Sequence, residues 1–295
     1  MIDSIPALPC WLNGEMSTLR DAKVSVLDRG FIFGDGVYEV VPAYGGRPFR
    51  FDEHMARLER SLGEMRIANP MSRAEWRALV ERLIAAYAAH AGKPVGETDQ
   101  QVYLQITRGV AMRDHAMPAN IVPTVFAMTN RITQPTAADR AQGVACVTAE
   151  DFRWKKAHIK STSLLGSVFA RQIGADAGAN ETVMFREGFL SEGAAANVWV
   201  VKDGRVLGPL KDNLVLEGIR YGLIEQLCAE AGIPFELRRE HLVTRNAADE
   251  LLLSNASKEV LPVSRLDGRP VGNGRPGPIY EKLYAGYQRA KQTSP

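Results

Sequence analysis

The sequence predicts a mixed α/β (α+β) chain of two domains, and three observations carry that reading. Strand-like runs and amphipathic helices interleave without a fixed period, so the chain is not a repeat array. Its 295 residues, 45% of them hydrophobic, suffice for two medium cores. The proline-containing stretch NRITQPTA then interrupts the pattern, which gives a smaller N-terminal domain over 1–130, a linker over 131–137 and a larger C-terminal domain over 138–295.

Taken in order, strands are expected at WLNG, AKVSVLD and GVYEVVPAYGGRPF, with Asn13-Gly14 and Gly45-Gly46 as hairpin turns. In FDEHMARLERSLGEM the residues Met55, Leu58, Leu62 and Met65 recur three or four apart, which predicts a helix capped by Asp52. A second helix spans AEWRALVERLIAAYAAHAG and stops at Gly92 before Pro94. QVYLQITRG and NIVPTVFAMT read as strands. Beyond the linker, strands are expected at GVACVTAEDF, ETVMF, ANVWVVKDGRVLG and ELLLSN, and helices at SLLGSVFARQIGADA and GIRYGLIEQLCAEAG.

The charge balance, 36 basic against 34 acidic residues, has no basic block or acidic tail. Neither a nucleic-acid nor a membrane-surface partner is expected, and a small, anionic ligand fits better. Cys10, Cys146 and Cys228 form no C-x-x-C pair, which points away from a disulfide framework or zinc cluster and toward a reducing compartment. The opening MIDSIPALPCWLNG lacks a signal-peptide pattern and no long apolar run occurs, so a cytoplasmic protein is expected. His54, His90, His115, His158 and His241 show no metal-ligand spacing, Gly30, Gly34 and Gly36 miss the G-x-G-x-x-G pattern, and no G-x-S-x-G elbow exists.

Several residues carry possible chemistry. Lys160, in HIKSTSLLGSVF, stands at a strand-to-helix junction. It is either an exposed lysine beside a cap made by Ser161, Thr162 or Ser163, or an amine of lowered pKa that links to a carbonyl. Tyr38 follows the Gly34-Asp35-Gly36 turn at a strand start, with its hydroxyl free to face a cleft. Arg113 and His115 occupy an inter-strand loop and could grip a carboxylate. Arg57 on its own reads as a surface residue paired with Glu53. Ile219 and Arg220 open a helix whose free amides suit a phosphate. Glu192 precedes three alanines and a strand, where it is either a turn residue or a carboxylate that holds a proton on a ring nitrogen.

Together, DRGFIFGDGVYEV, DEHMARL, HIKSTSLL, LSEGAAANVWVV, LEGIRYGLI and LLLSNASKEVLPV resemble the motifs of fold-type IV (class IV) pyridoxal-phosphate aminotransferases, in the family's order and over nearly the whole chain. The resemblance implies a two-domain enzyme with the cofactor pyridoxal 5′-phosphate (PLP) at the domain interface. It assigns Lys160 to the covalent link with the cofactor, Glu192 to its pyridine nitrogen, and Arg57, the amides of Ile219 and Arg220, and Ser257 to its phosphate. Tyr38 with Arg113-x-His115 is similar to the carboxylate trap of the D-amino acid aminotransferases, in which the Arg and His come from the neighbouring subunit. The implied activity is ping-pong transamination between a D-amino acid such as D-alanine and a 2-oxo acid such as 2-oxoglutarate, in a homodimer. The alternatives on the same scaffold are a branched-chain L-amino acid aminotransferase, an (R)-amine aminotransferase and an aminodeoxychorismate lyase; a noncatalytic PLP carrier is the alternative of another class. One departure from the pattern is Ala194-Ala195-Ala196, where the D-specific enzymes usually carry serines.

Overall fold

A computed structural model describes residues 4–239 and 248–293, so His241 lies outside the described residues. The described residues separate into two compact units, the first formed by 4–132 and 159–164, the second by 133–158, 165–239 and 248–293. The first is therefore not a single stretch of chain. Ile159 is buried in its core, and the segment around Ser161 bridges Val37, which attaches 159–164 to the N-terminal fold.

In the first unit the elements are β1 (Pro9–Leu12), β2 (Glu15–Thr18), α1 (Arg29–Phe33), β3 (Gly36–Tyr44), β4 (Arg47–Pro48), α2 (Phe51–Glu64), α3 (Arg73–His90), β5 (Gln100–Thr107) and β6 (Thr124–Arg131). The strands form one antiparallel sheet in the order β2-β1-β6-β5-β3-β4. Apolar positions of α2 and α3, among them Met55, Leu58, Leu62, Trp76 and Leu83, are buried with Val37, Val41, Val102 and Leu104 of the sheet. The three-and-four spacing seen in the sequence thus marks the packed stripe.

Two local expectations fail here. AKVSVLD forms no strand: apart from an isolated bridge between Asp28 and Val110 it has no ladder, and Val24 and Val26 are exposed, so alternation alone did not supply a pairing partner. Nor does Asp52 cap α2. Arg50 occupies that position in a left-handed conformation with no side-chain cap bond, and its Nε donates to Glu53 Oε1 at 2.8 Å while Asp52 lies in the first turn.

The second unit contains α4 (Ala137–Gln142), β7 (Val144–Glu150), α5 (Leu165–Asp176), β8 (Glu181–Arg186), β9 (Phe189–Gly193), β10 (Asn197–Lys202), β11 (Arg205–Gly208), α6 (Arg220–Glu230), β12 (Phe235–Leu237), β13 (Glu250–Asn255), β14 (Glu259–Leu266), β15 (Arg269–Pro270) and α7 (Pro278–Thr293). Its sheet is mixed, ordered β12-β11-β10-β13-β14-β7-β8-β9 with β15 beside β14, and is parallel where β7 meets β8 and β14 and where β11 meets β12. Val144, Val183, Val198, Val200, Leu251 and Leu253 form its core. β14 and α7 have no counterpart among the expected elements. Pro262 interrupts the strand reading of EVLPV, and it is accommodated because the β7 ladder begins only at Val263. In α7 the buried positions are Tyr280, Leu283, Gly286 and Tyr287, and tyrosines blur an apolar stripe read from sequence. Among the described residues no helix is long and apolar enough to cross a membrane.

Candidate active site

In the first unit the DRGFIFGDGVYEV segment builds most of the local geometry. Asp28 caps α1 by accepting from the Gly30 amide, and Gly34, at φ 65°, closes the helix in the left-handed region. A side chain at Gly36 would meet the Ile106 carbonyl at 2.7 Å and Thr162 Oγ1 at 3.2 Å, so only glycine lets the 159–164 segment lie against the start of β3. That segment is fixed by four bonds: Tyr38 N–H donates to the Lys160 carbonyl, Thr162 N–H to the Gly36 carbonyl, and the Thr162 and Ser163 hydroxyls to the Gly34 carbonyl. These two hydroxyls, two of the three candidates for a helix cap, instead hold the lysine segment against the end of α1. Lys160 also donates its own amide to Ser61 Oγ at 3.3 Å, and its Nζ lies 4.1 Å from the centroid of the Tyr38 ring. Tyr38 stacks on Tyr103, with ring centroids 5.7 Å apart.

Arg57 is not a surface residue paired with Glu53. It is buried, and its Nε and Nη2 donate to the two oxygens of Glu39 at 2.7 and 2.8 Å. Alternation in β3 explains this: Tyr38 and Val40 are half-buried on one face, while Glu39 is fully buried on the other, where α2 packs. His54, one turn before Arg57, places Nδ1 2.7 Å from Glu39. Burial disfavours the Glu39 carboxylate, but the Arg57 charge and hydrogen bonds, with His54, outweigh it and hold the carboxyl far below the usual range.

Arg113 and His115 lie exposed on the β5–β6 loop, and both reach the Phe33 ring: the Arg113 guanidinium carbon is 5.5 Å from its centroid and the His115 ring 5.4 Å.

In the second unit Glu192, on β9, is buried. Its Oε1 accepts from Arg153 Nη1 at 2.6 Å and from the Leu216 amide at 3.2 Å, and its Oε2 from Asn197 Nδ2 at 3.2 Å. Arg153 spends its other two nitrogens on Asp151, which also pairs with Arg186. Burial raises the Glu192 pKa and Arg153 opposes it, leaving a net upward shift. Asn197 also donates to the Leu216 carbonyl, and a side chain at Gly218 would collide with its Oδ1, so the chain entering α6 lies close to the Glu192 carboxamide partner. Ile219 is the N-cap of α6 and makes no side-chain cap bond. The Arg220 side chain donates from Nε and Nη2 to the Tyr287 hydroxyl. Ser257 sits in a turn organised by Asn255, whose Oδ1 accepts from the Ser257 and Lys258 amides and whose Nδ2 donates to the Ala195 carbonyl. One amide therefore ties the Ser257 turn to the alanine run after Glu192.

Within each unit the sequence-marked residues gather as Lys160 with Tyr38, as Arg113 with His115, and as Glu192 with the entry to Ile219 and Arg220. Glu39, His54, Arg153, Asp151 and Asn197 were missed. A signal for Glu39 was available, since a carboxylate inside VYEVV must find a buried cation.

Each donor type is one that PLP takes: the first unit offers a primary amine beside an aromatic face and a guanidinium, and the second a buried carboxylate, helix amides and a hydroxyl. Fold and donors together define an amino-group-transferring enzyme. The family model for amino-transferase class IV matches residues 36–266, and the chain belongs to that PLP-dependent family. It is 36% identical over 281 residues to a D-alanine aminotransferase of Bacillus licheniformis, covering 94% of this chain and 95% of that one. A branched-chain amino acid aminotransferase from Escherichia coli superposes with a TM-score of 0.82 at 26% identity, covering 95% of this chain and 92% of that one. A second branched-chain amino acid aminotransferase, from T.th. and solved with pyridoxamine 5′-phosphate, has the same fold, with a TM-score of 0.88 at 24% identity and coverage of 99% and 97%.

Proposed function

We propose that this chain transfers the amino group of a D-amino acid, D-alanine being the first candidate, to a 2-oxo acid such as 2-oxoglutarate in two half-reactions. PLP supplies the aldehyde that takes up the amino group and the ring that withdraws electrons from the substrate. Lys160 would carry the cofactor covalently and, once displaced by substrate, move the proton at the substrate Cα. The Glu192 carboxylate would keep the ring nitrogen protonated. Arg57, the amides of Ile219 and Arg220, and the Ser257 hydroxyl would bind the phosphate, and Tyr38, Arg113 and His115 would orient the substrate carboxylate.

The observation that carries the D-specific reading is the Arg113-x-His115 pair held around one ring on an exposed loop. Relatives at about 35% identity named D-alanine aminotransferase support it. We also infer a homodimer in the cytoplasm. Large apolar side chains stand exposed on each unit, including Phe31 and Met112 on the first and Leu165 and Phe169 on the second, and the three cysteines are free and buried.

The test is a panel of D- and L-amino acids, with 2-oxoglutarate and with pyruvate as acceptors. D-alanine is expected to change the holoenzyme's visible absorbance and release pyruvate, while L-alanine does neither. Turnover of L-leucine or L-isoleucine in their place would establish the branched-chain alternative, which the E. coli structural neighbour keeps in view.

A further inference from the structure

The loop bearing Arg113 and His115 is strapped to the segment before and within α1. Arg29 N–H donates to the Gly109 carbonyl at 2.9 Å, Ala111 N–H to the Leu27 carbonyl at 3.3 Å, and Arg29 Nη1 to the carbonyl of Asp114 at 2.6 Å. Asp114 is the residue between Arg113 and His115, so one buried guanidinium fixes the backbone at the centre of the pair. Arg29 is itself fixed, because its Nε donates to Asp35 Oδ2 at 2.8 Å and Asp35 also receives the fork of Arg108. Phe33 then receives the two flanking side chains, with the Arg113 guanidinium carbon 5.5 Å and the His115 ring centroid 5.4 Å from its centroid; the Arg29 guanidinium carbon lies 4.7 Å away. Two arginines beside one ring would repel, and the Asp35 carboxylate offsets the charge of the inner one.

Backbone anchoring and ring contact do different things. The Arg29 bond sets where the loop lies, and Phe33 limits the rotamers of two long side chains that would otherwise sweep through solvent. A carboxylate clamp that is already ordered loses less entropy when it closes on its ligand.

We propose that Phe33 is a positioning residue that pre-orders Arg113 and His115, with Arg29 anchoring their loop, and so sets the affinity for the substrate's α-carboxylate. This rests on the reading of Arg113 and His115 as the carboxylate clamp. A positioning residue of this kind should act on binding and leave the chemical step alone.

The experiment compares the holoenzyme with F33L, which keeps apolar volume but removes the ring, F33Y, which keeps it, and R113A as the control for the clamp. For each, kcat and KM for D-alanine are measured, together with the dissociation constant of propionate, a non-reacting carboxylate, by calorimetry. F33L is expected to raise KM and the propionate constant roughly five- to tenfold, the scale of one lost ring–cation contact, with kcat changed less than about twofold and F33Y close to the unsubstituted protein. R29K, which loses the forked hold on Asp35 and Asp114, should move the same two constants in the same direction. If R113A weakens propionate but F33L does not, or if F33L lowers kcat instead, Phe33 has no positioning role and the clamp reading stands. If R113A leaves propionate binding unchanged, the clamp reading falls and the inference with it.

Discussion

The Lys160 amine lies 4.1 Å from the centroid of the Tyr38 ring, while the Lys160 carbonyl accepts the Tyr38 amide at 3.0 Å. The same two residues are thus joined through both backbone and side chain, and the amine is directed along an aromatic face. Under the proposed function the covalent hold on the cofactor and the proton transfer at the substrate Cα would both fall to that one amine, so K160A should remove transamination, lowering kcat by on the order of a thousandfold or more. Borohydride treatment of the holoenzyme should label the peptide containing Lys160 and leave K160A unlabelled. Y38F, which keeps the ring, should cost little in amine placement, whereas Y38A should forfeit about 0.5–1 kcal/mol of ring–cation contact and broaden the absorbance transition of the bound cofactor.

Glu39 gives a prediction about acid stability. Its folded pKa lies below its unfolded value, since Arg57 and His54 together outweigh burial. The stabilisation is therefore present above the ordinary carboxylate range, about pH 4.3, and is lost as pH falls through the folded value. E39Q removes the carboxylate that Arg57 and His54 share in a buried setting, which should cost about 3–5 kcal/mol at neutral pH. Melting curves from pH 7 downward should show unsubstituted protein losing stability with acid and E39Q starting lower and losing less. Parallel curves for the two proteins would show that Glu39 contributes nothing through its charge.

How much of this was legible in the sequence depended on whether a residue's partner was local. Met55, Leu58 and Leu62 announced the buried face of α2 because a helix carries its own period, and Asn13-Gly14 announced its hairpin because the turn is four residues long. Lys160, Glu192, Tyr38, Arg113 and His115 were legible as motif residues. Arg57 was legible as a motif residue too, but its pairing was not, because its partner Glu39 is eighteen positions away and on a strand. AKVSVLD had the alternation of a strand but no neighbour, a fact held by the rest of the fold rather than by those seven residues. Arg153 was hidden for the same reason, its role being set by Glu192, thirty-nine residues on.

The Glu192–Arg153 pair makes a prediction of opposite sign to Glu39. Burial lifts the Glu192 pKa above its unfolded value, and Arg153 restrains the rise. Folding therefore favours protonation of Glu192 relative to the unfolded chain, so its contribution to stability is full below about pH 4.3 and is lost as pH rises through the folded value. R153M removes the restraining cation, lifts the folded value further and should make the protein lose more stability than the unsubstituted chain as pH rises above the ordinary carboxylate range. E192Q should lower kcat on the order of a hundredfold, as when one pre-oriented electrostatic contact is lost at a reacting centre. An R153M melting profile parallel to the unsubstituted one would separate Glu192 from the arginine.

The helix α5 supplies the last prediction. Its inward side is small, with Ala170 and Gly174 buried and Ala170 clustered with Met184 and Ala194. Its outward side carries Leu165 at 69% exposure and Val168 and Phe169 at 59% each. Water-facing helix surfaces carry scattered apolar residues, but three bulky ones within five positions form a contiguous patch of the kind that a partner covers. Burying them in a twofold interface would remove apolar area from water at about 25 cal/mol per Å², whereas a charge placed among them would be trapped without a counterion. V168D/F169D should therefore shift the protein from dimer to monomer in light scattering at micromolar concentration. The inward residues are untouched, so the melting temperature of the monomer should report an intact fold. If Arg113 and His115 act as the carboxylate clamp from the second subunit, the same variant should also raise KM for D-alanine. A wild-type protein that is monomeric and fully active at that concentration would show that the patch serves something other than self-association.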